Sequence, residues 1–220
     1  MSEEPYRTPC QIYLISPLDV GGDFPARLER VLAACATKAH GVTAFQFRVK
    51  GLDEHAAAAL AAPLQAICAA HEVTFIVNDS ISLAKRLDAD GVHLGQDDGD
   101  VKEARQRLGK QAQIGRTCHA SRDLAMAAGE AGADYVAFGA FFPTTTKQVE
   151  HHAEPEILAW WQGLFELPVV AIGGVTPANC APLVEAGADF LAVCGCIWNG
   201  DEVANTQALM AAIEKAQVGG

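Results

Sequence analysis

Glu130-Ala131-Gly132-Ala133-Asp134-Tyr135 and Glu185-Ala186-Gly187-Ala188-Asp189-Phe190 are nearly the same phrase, and Leu87-Asp88-Ala89-Asp90-Gly91-Val92 is a looser variant. In each, a stretch of helical spacing stops near glycine or a short polar residue that tolerates left-handed backbone angles, and an apolar run follows at once. A recurring helix-to-strand junction means repeated βα units. Outward from these junctions, short apolar runs at 11–16, 44–48, 74–77, 91–94, 113–116, 135–138, 169–172 and 190–193 predict strands. Between them, 24–39, 54–71, 80–87, 101–108, 121–131, 155–163, 177–186 and 202–216 carry helical spacing and composition. Eight such units in 220 residues predict a single closed (β/α)₈ TIM barrel rather than an open doubly wound sheet, which has fewer strands and a reversal of order. No linker or composition break divides the chain, so residues 1–220 are expected to form one domain.

A formal net charge of -11 repels nucleic acid and anionic membranes, so neither is an expected partner. The start of the chain lacks a basic segment followed by an apolar core, and no apolar stretch reaches membrane-spanning length, which predicts a cytoplasmic protein. Seven cysteines without paired spacing, Cys194 and Cys196 included, suit buried structural thiols in a reducing compartment. Oligomeric state is not legible; a homo-oligomer is compatible with the chain.

In a barrel of this kind the chemistry sits where strands end and βα loops begin. Polar residues collect there. Gln46, Arg48 and Lys50 alternate with apolar residues and share one strand face, which in a barrel mouth calls for an anionic ligand and on an exposed strand would simply be solvated. Asn78 and Asp79 close the third strand, and His93, Gln96, Asp97 and Asp98 follow the fourth. Asn78-Asp79 and Asp97-Asp98 lie on adjacent strands, so their loops can bring two carboxylates together, which with phosphate and water make a shell suited to Mg²⁺; the alternative is helix capping by Asp79 or Ser80 and by Asp98. Arg116, Thr117 and His119 follow the fifth strand.

After the sixth, Phe141-Phe142-Pro143-Thr144-Thr145-Thr146-Lys147 offers hydroxyls, amides and one ammonium. Gly173-Gly174-Val175-Thr176-Pro177 after the seventh, with Gly195 after the eighth, reads either as a phosphate cradle leading into a helix at Pro177 or as a tight turn. Two anion sites with a threonine loop between them point to two phosphorylated substrates, one a diphosphate with Mg²⁺. His151 and His152 read as exposed loop residues, and Trp160-Trp161 as part of an exterior helix.

These segments, in this order, resemble the thiamine phosphate synthase family over essentially the whole chain. The likeness is carried by Gln46-Phe47-Arg48-Val49-Lys50, Asn78-Asp79, 90–98, 143–147 and 172–176. It implies a (β/α)₈ barrel that joins hydroxymethylpyrimidine diphosphate to hydroxyethylthiazole phosphate, releasing diphosphate and thiamine phosphate. By the same resemblance, Gln46, Arg48, Lys50, Asn78 and Lys147 hold the pyrimidine diphosphate, and Arg48, Lys50 and Lys147 are the catalytic cations. Asp79 and Asp98 match the Mg²⁺ ligands, and Thr117 falls where a serine is common. Thr144, Thr145, Thr146, Gly174, Cys194 and Gly195 match thiazole phosphate positions. The chain departs from the family pattern at Val49, Ser80, Thr145 and Gly195. Two alternatives stay open: a thiazole tautomerase, for which His119 would be the acid or base, and a non-catalytic paralogue that binds a thiamine-related phosphate.

Overall fold

The repeated Gly-Ala-Asp phrase turns the chain and then ties two strands together. Gly132 adopts φ 92°, and its N–H closes back onto the helix carbonyls of Ala128 and Gly129. Two residues on, the Asp134 carboxylate accepts the N–H of Ile114 at 2.6 Å and Arg105 at 2.6 Å. Asp189 likewise accepts the N–H of Val169 at 2.8 Å, and Asp90 that of Phe75 at 2.7 Å. Each aspartate therefore pins the start of its own strand to the start of the strand before it.

The computed structural model describes residues 9–35, 39–144 and 151–218. Eight parallel strands, β1 (Gln11–Ile15), β2 (Val42–Phe47), β3 (Thr74–Asn78), β4 (Gly91–Leu94), β5 (Gln113–His119), β6 (Tyr135–Phe138), β7 (Val169–Ile172) and β8 (Phe190–Val193), pair in sequence order. β8 returns to β1 and closes the barrel. The helices outside it are α1 (Phe24–Cys35), α2 (Glu54–Ala70), α3 (Ile81–Leu87), α4 (Val101–Leu108), α5 (Arg122–Ala131), α6 (Glu156–Gln162), α7 (Ala181–Glu185), α8 (Gly195–Trp198) and α9 (Glu202–Val218). None of the described helices is long and apolar enough to cross a membrane.

Strand alternation sorts the core into two layers. Tyr13, Ile15, Ala44, Ile76, Tyr135, Ala137, Val170 and Ala192 point into the barrel. Their neighbours, among them Phe45, Phe47, Phe75 and Phe138, meet the helices outside. The barrel interior gives up volume at Gly115, where any Cβ would fall inside the Tyr135 ring.

Three expectations need correction. The helix expected from Pro177 begins only at Ala181, because Asn179 accepts the Thr176 N–H at 2.7 Å and donates to the Gly174 carbonyl at 3.0 Å, holding a turn. β5 runs on through Arg116 and Thr117 to His119, so these residues are in the strand rather than after it; the pairing with β6 shifts register between Thr117 and His119. His93 likewise lies within β4. The short α8 has no periodic signal in four residues, and the expected 24–39 helix is described as far as Cys35. None of the seven cysteines is joined in a disulfide. Trp161 is buried, with its indole N–H on the Leu167 carbonyl at 2.7 Å, while Trp160 is half-exposed beneath the Arg122 guanidinium at 4.5 Å.

Candidate active site

At the carboxyl ends of the strands the barrel opens into a cavity of about 1040 Å³. Gln46, Arg48, Lys50, Asn78, Asp79, Asp98, Thr117, Thr144, Gly174, Cys194 and Gly195 all line it. Thr145, Thr146 and Lys147 lie outside the described residues. Every described residue singled out from the sequence as a ligand therefore borders one space.

The end of β2 is fixed by Ser16, whose buried hydroxyl accepts the Arg48 N–H at 2.8 Å and donates to the Arg48 carbonyl at 3.2 Å. Lys50 reaches Asp79 at 3.4 Å. Asp79 itself sits at φ 65° and its carboxyl meets that of Asp98. Burial, followed by the hydrogen bond and charge of Asp98, raises the Asp79 pKa above the ordinary carboxylate value, and Lys50 opposes the rise. Capping does not account for this pair. Ser80 caps α3 by accepting from Leu83, and Asp100 caps α4 by accepting from Lys102. Asp98 instead accepts the Gly95 N–H at 3.1 Å, which leaves its second oxygen for another partner. Two carboxylates brought together in a partly buried mouth suit a divalent cation that takes its remaining ligands from water and phosphate. Among the described residues no group of three or more His, Cys, Asp and Glu could hold a metal ion.

On the far side, the β6–α6 loop runs along the end of β7. Phe141 N–H meets the Ile172 carbonyl at 3.2 Å and Phe142 N–H the Gly173 carbonyl at 3.0 Å. The loop is pinched at its base by Ala140 and Ala153, which bond to His151 and Ala140 carbonyls at 3.1 and 2.9 Å. Gly173 and Gly174 are there because the two segments touch. A Cβ on Gly173 would come to 2.6 Å from the Ala140 Cα, and one on Gly174 to 2.8 Å from the Phe142 carbonyl oxygen. Beside them, the Cys194 thiol donates to the Ser16 carbonyl at 3.5 Å, and burial raises its pKa.

Sequence reasoning missed the cavity floor. Gln46 donates to the Tyr13 hydroxyl at 3.1 Å, Tyr13 meets Tyr135 at 2.8 Å, Tyr135 meets His93 Nδ1 at 3.1 Å, and His93 Nε2 meets Thr117 at 2.9 Å. Burial, then the Arg116 charge, holds the His93 pKa down to about 4. The available signal was a tyrosine at an inward position of two short strands. His151 was also undervalued: exposed as expected, it nevertheless borders the cavity, with its ring 4.7 Å from that of His119.

A family model described as thiamine monophosphate synthase matches residues 12–197. A thiamine-phosphate synthase of Erythrobacter litoralis is 67% identical, with 94% of this chain and 97% of that protein aligned. One from Rhodospirillum centenum is 50% identical over 87% and 91% of the two chains. Among solved structures, a thiamine phosphate pyrophosphorylase from Pyrococcus furiosus superposes with a TM-score of 0.79 at 26% identity, covering 96% of this chain and 98% of its own. The chain belongs to the thiamine monophosphate synthase family.

Proposed function

We propose that the protein is a thiamine-phosphate synthase that condenses hydroxymethylpyrimidine diphosphate with hydroxyethylthiazole phosphate, releasing diphosphate. The observation that carries this reading is the pairing, across one cavity, of a cation-and-carboxylate cluster at Arg48, Lys50, Asp79 and Asp98 with a glycine-lined wall at Gly173, Gly174 and Gly195. One wall suits a metal-bound diphosphate and the other a monophosphate.

Asp79 and Asp98 would hold Mg²⁺, and the ion when bound supplies positive charge against the diphosphate oxygens. Arg48 and Lys50 hold the same group and stabilise the negative charge it gains as its bond to the pyrimidine methylene breaks. Gln46 orients the pyrimidine. Thr144, Gly174, Cys194 and Gly195 seat the thiazole phosphate so that the ring nitrogen faces the electron-poor methylene. Thr145, Thr146 and Lys147 are assigned by sequence. Such a reaction depends on charge fixed before the bond breaks, and it needs no nucleophilic side chain. A tautomerase built on His119 would leave the two aspartates and the two cations without a task.

Purified protein incubated with both precursors and Mg²⁺ is expected to form thiamine phosphate. Metal removal is expected to abolish it, and Asp79→Asn to lower it by on the order of 10²-fold or more. Folded protein that binds both precursors without product would overturn the proposal in favour of a non-catalytic paralogue.

A further inference from the structure

The chain Gln46–Tyr13–Tyr135–His93–Thr117 crosses the barrel interior from β2 to β5 through β1, β6 and β4. Gln46, Tyr13, Tyr135 and His93 are all less than a tenth exposed, and among the described residues no buried polar side-chain atom lacks a hydrogen-bond partner. All five residues border the cavity, and the Thr117 carbonyl also accepts from the Gln96 amide.

Each hydroxyl has one proton to give, and a neutral imidazole has one donor and one acceptor nitrogen. At about pH 8 the imidazole is neutral even at its ordinary pKa. The four links then admit two concerted arrangements. In the first, Gln46 donates to Tyr13, Tyr13 to Tyr135, Tyr135 to His93 Nδ1, and His93 Nε2–H to Thr117. Gln46 then keeps its carbonyl oxygen for a ligand, and Thr117 keeps a hydroxyl proton to donate. In the second, the Gln46 amide is turned over so that its oxygen accepts from Tyr13 and the other three bonds are reversed, so Gln46 offers an N–H to a ligand and Thr117 only lone pairs.

We propose that this chain makes recognition of the pyrimidine edge conditional on the diphosphate: an anionic oxygen at Thr117 selects the first arrangement, which turns an acceptor at Gln46 toward an amino-substituted ring. Tyr13, Tyr135 and His93 are then positioning residues that set specificity through Gln46 and Thr117. The inference rests on the synthase reading for its ligands. It predicts positive coupling between an aminopyrimidine and diphosphate that reaches beyond their direct contact.

The test is calorimetric titration of the hydroxymethylpyrimidine alcohol, with Mg²⁺, in the absence and presence of saturating inorganic diphosphate. Wild-type protein is expected to bind the alcohol about tenfold more tightly when diphosphate is present. Tyr135→Phe, which removes one hydroxyl from the middle of the chain, is expected to bring that factor to about one while diphosphate alone binds as before. Tyr13→Phe is expected to do the same, and it serves should the first variant fold poorly. Undiminished coupling in folded Phe variants would overturn the relay and leave the synthase reading standing. Wild-type protein that binds neither probe would overturn both.

Discussion

Replacing Gly174 with alanine separates two costs that glycine avoids. The first is backbone strain: at φ 65° a side chain costs about 1–2 kcal/mol. The second is collision. The new Cβ would lie 2.8 Å from the Phe142 carbonyl oxygen, and nearer still to that of Pro143, where ordinary contact begins at 3.4 Å. The loop leading to Thr144 must therefore recede by roughly 0.5–1 Å, and a shift of that size costs up to about 10²-fold when it moves groups that position a substrate. Gly132→Ala is the control: its φ of 92° carries similar strain, but nothing lies within 4 Å of the added carbon and the residue is remote from the cavity. Thermal unfolding of both variants is expected to shift down, by about 2–4 °C per kcal/mol for a chain of this size. Steady-state kinetics should then diverge, with Gly132→Ala near wild type. Gly174→Ala is expected to raise the KM for the thiazole phosphate and to lower kcat/KM by roughly 10–10²-fold. Equal kinetics in the two variants would refute the reasoning that close approach of the two loops shapes the monophosphate site.

Asp79→Asn keeps a residue that tolerates left-handed angles and removes a charge that burial and Asp98 disfavour, so the metal-free variant should melt higher than metal-free wild type at neutral pH while activity falls by on the order of 10²-fold or more. A lower melting temperature would mean that Lys50 contributes more to Asp79 than Asp98 takes away. His93 predicts a pH effect: its folded-state pKa lies below the unfolded one, so its stabilisation is present above about pH 6.5 and is lost as pH falls toward 4, by on the order of 3 kcal/mol in all. Denaturant unfolding between about pH 7.5 and 5 should show this slope in wild type and a flatter one in His93→Gln; parallel slopes would refute it. Asp134→Ala orphans the Ile114 N–H and should cost about 1–3 kcal/mol of stability with KM and kcat unchanged, since it acts at the opposite end of the barrel.

The barrel was legible because its signals are local and repeated. Apolar runs, alanine-rich helices and Gly-Ala-Asp junctions each follow from the backbone's own preferences, and they placed all eight strands in the order the structure shows. What failed was where a side chain overrode the backbone pattern. Pro177 suits a first helical turn, but Asn179 closes a turn around Thr176 first and delays α7 to Ala181. β5 was read short because Arg116, Thr117 and His119 look like loop residues. They stay in the sheet because Arg116 is anchored on the β4–α4 loop through the Gly99 carbonyl at 2.6 Å, and Thr117 on His93.

The site was legible for a different reason, and less completely. A charged or glycine-rich strand end stands out against an apolar strand, so the ligands at Arg48, Asp79 and Gly174 could be named one by one. Whether Asp79 and Asp98 serve a helix or a ligand could not, since an aspartate before a helix reads the same either way. Geometry separates the two, because Ser80 and Asp100 already fill the capping positions and leave both carboxylates facing each other. The floor of the cavity gave no such contrast. Tyr13, Tyr135 and His93 are spaced like any inward core residues, and their hydroxyl and imidazole groups acquire meaning only when two tyrosine hydroxyls 122 residues apart in sequence come within 2.8 Å. Composition can announce a charge at a strand end, but a relay between neutral groups exists only in the closed barrel.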